Sequence, residues 1–99
     1  MDIKARLTKE LDECLSRISS FPWDVHAQAI RKRQPLPAGE TFGFTEDGVY
    51  FDVGDSASWL DGPDGDILLT ASVTAFPGQN YDNGIREERS LVLKRDGSR

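Results

Sequence analysis

The sequence predicts an α+β domain in two layers: an N-terminal amphipathic helix, with a short second helix, packed on a four-stranded antiparallel meander. Three observations predict it. Apolar residues recur at three- and four-residue steps over the first twenty positions, the helical period. From Thr41 onward the period switches to two, the mark of half-buried strands. Short Gly-, Pro- and Asp-rich reversals separate the alternating runs, which favours pairing between successive strands over crossovers.

The helical segment spans 1–33. Ile3, Leu7, Leu11, Cys14, Leu15, Ile18 and Phe21 fall within an arc of about 120°, the width of a core-facing stripe. Asp2, Arg6, Lys9, Asp12, Glu13, Ser16 and Ser20 occupy the other side, with Asp2 and Arg6 spaced for an i,i+4 ion pair. Cys14 lies inside the apolar arc and reads as a small buried hydrophobe. Pro22 cannot continue a helix interior but suits the start of a new one. Trp23, Ala27 and Ile30 then form a second, shorter stripe, on which His26 reads as a partly exposed residue. Arg31-Lys32-Arg33 closes the segment with cations suited to a helix C-terminus.

An extended connector over 34–39 (QPLPAG) leads to the sheet, 40–95. Phe42 and Phe44 alternate with Thr41, Gly43 and Thr45, and Glu46-Asp47-Gly48 supplies a tight reversal. Val49, Phe51 and Val53 then alternate with Tyr50 and Asp52. Ser56 through Leu60 reads as loop-like, continuing into Asp61-Gly62-Pro63-Asp64-Gly65. The strongest strand follows: Ile67, Leu69, Ala71, Val73 and Ala75 inward, with Leu68 and Phe76 on the outer face. A last strand runs over 85–94 with Leu91 and Leu93 inward, and 96–99 forms a frayed tail. The whole, 1–99, reads as one domain.

Composition excludes several functions. A net charge of −5 argues against nucleic-acid and anionic-membrane binding, which need a basic surface. One cysteine and one histidine remove disulfide frameworks and Cys/His metal clusters. Asp61, Asp64 and Asp66 crowd a glycine-containing loop, but position 3 of a calcium loop would be Pro63 and position 12 Ser72, so no metal is expected. Asp24 and His26, two apart, lie on different helix faces, and no nucleophile motif accompanies them. No phosphate-binding glycine pattern occurs. Neither catalysis nor a cofactor is expected. The charged first twenty residues lack a secretory pattern, and a lone thiol suits a reducing cytoplasm.

The distribution of charge is the unusual feature. Between Gln34 and Ile85 there is no lysine or arginine, yet nine acids: Glu40, Glu46, Asp47, Asp52, Asp55, Asp61, Asp64, Asp66 and Asp82. The two ends are mildly basic. Trp59 lies among these acids, an aromatic ringed by charge as in many binding hot spots, or else a cap on the core at the sheet edge. The expectation is a non-enzymatic module that docks a basic protein through Tyr50, Asp52, Asp55, Trp59, Asp61, Asp64 and Asp66. Opposed charge would speed association and select the partner. Small immunity proteins and antitoxins that neutralise nuclease-like bacterial toxins share this size and charge, an analogy and not a sequence likeness. The alternative is a chaperone-like or accessory subunit that self-associates through its sheet; monomer and homodimer both stay open.

Overall fold

A computed structural model describes residues 2–34, 42–78 and 80–95. The expected tail, and the connector after Gln34, lie outside the described residues. The architecture is α+β: two helices on one face of a four-stranded antiparallel open sheet, strand order β1-β2-β3-β4.

Helix α1 spans Ile3–Ser19. Asp2 caps it, its carboxylate accepting from the Ala5 N–H at 3.2 Å, so it is not the partner of Arg6. Arg6 pairs instead with Glu10 at 2.9 Å and Glu46 at 2.8 Å. Leu7, Leu11, Cys14, Leu15 and Ile18 are buried, as the stripe requires. Helix α2 covers Trp23–Arg31, with Pro22 at its N-cap.

His26 departs from expectation: it is fully buried. Its Nε2 lies 2.6 Å from the Ile18 carbonyl, and because a carbonyl only accepts, Nε2 carries the proton. That carbonyl belongs to the last turn of α1 and has no partner within its own helix. His26 therefore ties the end of α1 to α2, with Phe21 edge-on against the imidazole.

The strands are β1 (Phe42–Glu46), β2 (Val49–Trp59), β3 (Ile67–Pro77) and β4 (Ile85–Leu93). Asp47 and Gly48 join β1 to β2 with φ of 51° and 76°, the two left-handed residues of a type I′ hairpin. Strand β2 runs further than expected. Ser56, Ser58 and Trp59 are strand, paired with Thr70, Leu68 and Ile67. Their own propensities are modest, but eleven continuous β3 partners impose the extended form.

Alternation along these long strands separates two faces. Val49, Phe51, Val53, Ile67, Leu69, Ala71, Val73, Ala75 and Leu93 are buried in one core cluster with the helix stripes. Helix α1 packs on β3 and β4, and α2 on β2 and β3. The alanines on β3 leave room for the α1 leucines to approach. Phe44 stacks on Phe51 at 5.0 Å, extending the core toward the β1 edge.

Candidate protein-binding face

The opposite face of the sheet has no helix over it among the described residues. Register places Tyr50, Asp52, Gly54, Ser56 and Ser58 of β2 on it, beside Phe76, Thr74, Ser72, Thr70 and Leu68 of β3. Arg86, Glu88, Ser90 and Val92 continue the rows on β4. The middle is small and polar, with Thr70 and Ser90 hydroxyls 2.8 Å apart. One end differs. There Tyr50, Phe76 and Tyr81 meet, with ring centroids 5.3 to 6.1 Å apart.

Two glycines, Gly43 in β1 and Gly84 just before β4, leave room for these rings. A Cβ at Gly43 would fall inside the Tyr50 phenol, and one at Gly84 would come within 2.7 Å of the Phe76 ring and 2.9 Å of the Thr74 methyl. The aromatics thus cover bare backbone on both sides, a device that suits glycine in strands. Tyr81, in the β3–β4 connection, stays 61% exposed. Asp82 follows it, Asp47 sits in the turn at the same end, and Asp52 lies one cross-strand row below Tyr50 and Phe76.

Apart from Asp55, which lies near Cys14, the described acids of the basic-free stretch divide into two populations. Some meet the cations of the chain ends. Glu46 takes Arg6; Asp64 takes Arg31, with Nε at 2.8 Å; Asp66 takes Lys94 at 3.3 Å and the Arg95 N–H at 3.0 Å. In contrast, Asp47, Asp52, Asp61 and Asp82 are exposed, with no ion pair among the described residues.

No family model matches this chain, and neither a curated protein nor a solved structure matches it.

The seven residues singled out from sequence therefore occupy three places. Tyr50 and Asp52 share the open face. Asp61, Asp64 and Asp66 belong to the loop at the far end of the sheet, where Asp64 and Asp66 are engaged. Asp55 and Trp59 follow the alternation of Val49, Phe51 and Val53 and face the helix layer. Trp59 is the last residue of a strand, not part of a loop. It packs on Trp23 at 6.1 Å, and Trp23 donates its indole N–H to the Gly65 carbonyl at 2.8 Å. Trp59 is partly buried and packs against the core at this end of the sheet. Asp55 acts on the buried Cys14: burial pushes that thiol above its ordinary 9.0, the Asp55 charge adds to the push, Arg17 opposes it, and Glu10 raises it further. The thiol is protonated at neutral pH and is a poor nucleophile.

Phe76, Tyr81, Asp47 and Asp82 were not among the expected site residues. Alternation along β3 puts Phe76 outward, but its meeting with Tyr81 depends on how a connection folds. Among the described residues no group of three His, Cys, Asp or Glu side chains could hold a metal ion. No described helix is long and apolar enough to cross a membrane.

Proposed function

We propose that the protein is a non-enzymatic binding module, an inhibitor of the immunity or antitoxin type, that docks a basic protein such as a nucleic-acid-acting toxin or enzyme. The observation that carries this reading is the division of the acids. Three of the acids in the basic-free stretch are taken up by the chain's own cations, while Asp47, Asp52 and Asp82, at the end of the face where Tyr81 is exposed, have no ion pair among the described residues. A partner with a positive nucleic-acid cleft already has the complementary surface, and long-range attraction would raise the encounter rate. Self-association through the same end is the less favoured reading. A two-fold pairing there would bring two copies of the same acidic patch together, at like charge.

Charge reversal tests the reading. Asp47→Lys/Asp52→Lys/Asp82→Lys is compared with Glu13→Lys/Asp24→Lys/Asp61→Lys, which changes net charge equally on other surfaces. Proteins retained from the source cells at low salt are identified, and association rates are measured with purified candidates. The open-face set is expected to slow association at least tenfold and flatten its salt dependence, while the control set changes it little. Unchanged association of the open-face set sinks the proposal; equal losses in both sets reduce it to a net-charge effect without a site.

A further inference from the structure

We propose that the aromatic end of the open face is an arginine-capture site: a guanidinium projecting from the partner stacks on Tyr81 and Tyr50 and pairs with Asp52 or Asp82. This rests on the docking reading above and specifies its chemistry.

The chain's other aromatic clusters are each covered by an arginine. Trp23 and Trp59 form one, and Arg31 lies over both, 5.7 and 5.9 Å from the ring centroids, while its guanidinium pairs with Asp64. Phe42, Phe44 and Phe51 form another, and Arg6 lies 5.3 Å over Phe44 while it pairs with Glu46. Each consists of rings, a carboxylate beside them, and an arginine that satisfies both. Tyr50, Phe76 and Tyr81 repeat the rings, and Asp47, Asp52 and Asp82 repeat the carboxylates. Among the described residues no arginine or lysine lies over these three rings. Arg86, the nearest cation by register, is held by Glu88 with Nη2 to Oε1 at 2.6 Å. A guanidinium from a second chain would complete the same three-part arrangement here.

Local shape agrees. Gly43 lies against the Tyr50 phenol and Gly84 against the edge of the Phe76 ring, which holds both rings half-buried beside the exposed Tyr81. A planar cation stacks on such a surface better than a compact ammonium does, and its fork reaches a carboxylate at the same time. The small side chains along the middle of the sheet leave a flat approach for the segment that carries it. Lysine would satisfy the charge without the stacking.

The test is an NMR titration of the full chain with two blocked peptides, Gly-Arg-Gly-Arg-Gly-Arg-Gly and its lysine counterpart. The arginine peptide is expected to shift the amides of Tyr50, Thr74, Phe76, Tyr81 and Asp82 and to bind about three- to fivefold tighter than the lysine peptide. Tyr81→Leu should remove that preference, and Tyr81→Phe, which keeps the ring, should retain it. Tyr81 is exposed, so both variants are expected to fold. Equal affinity for the two peptides, an unchanged preference in Tyr81→Leu, or no shifts at this end at millimolar peptide overturns the inference. The charge-reversal comparison judges the wider docking reading independently: loss there with no arginine preference here leaves an acidic docking face without arginine capture.

Discussion

Replacing Gly43 by alanine should change stability with a sign that depends on Tyr50. Gly43 is a strand residue without a positive φ, so alanine is conformationally compatible there. Alone, that substitution stabilises by about 0.4–1 kcal/mol, because the unfolded chain loses freedom. The new Cβ, however, occupies the space of the Tyr50 phenol and must drive the ring off the strand. Tyr50 then gives up its contacts with Phe76 at 6.1 Å and Tyr81 at 5.7 Å. Aromatic pairs contribute about 0.5–1.5 kcal/mol each, so the loss outweighs the gain and leaves Gly43→Ala destabilised by about 1 kcal/mol. For a domain of this size that lowers Tm by about 4–8 °C. In a Tyr50→Ala background there is no ring to displace, and the same change should stabilise by about 0.5 kcal/mol. Urea unfolding followed by tryptophan emission is a suitable assay, since Trp23 and Trp59 sit at the other end of the sheet. The same sign and size of effect in both backgrounds would refute the packing of Tyr50 on Gly43.

Two further outcomes follow from the interior and the far end. Because the folded Cys14 thiol ionises above its ordinary 9.0, the unfolded chain loses that proton first as pH rises; stability is full below pH 9, falls above it, and should fall less steeply in Cys14→Ala, as urea midpoints between pH 8 and 10.5 would show. A slope unaffected by the substitution would count against the buried, carboxylate-flanked thiol. Arg31→Ala should cost more than Asp64→Ala, about 1–2 against at most about 0.5 kcal/mol in denaturant midpoints, because the ion pair is half exposed whereas the guanidinium also covers two indoles. Equal losses would mean that the stacking contributes nothing.

Much of the fold was legible because it is written in period. The stripe from Leu7 to Ile18 and the alternation from Ile67 to Ala75 each identify an element and its buried face. What escaped was set by distant partners. Ser56 to Trp59 reads as a loop until the strong β3 strand pairs with it. His26 reads as exposed because the carbonyl that accepts from it lies at the end of the other helix. The acid block is plain in the sequence, but its partial neutralisation joins Arg6 to Glu46 and Arg31 to Asp64 across long separations. The shared face of Tyr50 and Asp52 is legible because alternation continues through them; Phe76 and Tyr81 join Tyr50 only through strand register and the fold of a connection.

Sequential strand order has a consequence at the rims of the sheet. Among the described residues β1 and β4 are the edge strands, and open edges invite intermolecular strand addition and aggregation. The β4 rim is guarded by Arg86, Glu87, Glu88 and Arg89, whose charges a docking strand would have to desolvate. The β1 rim is only five residues long and is interrupted by Gly43. Neither offers a long apolar template. Concentrated solutions should therefore resist fibre formation, and an approaching chain meets less resistance on the broad face than along either border.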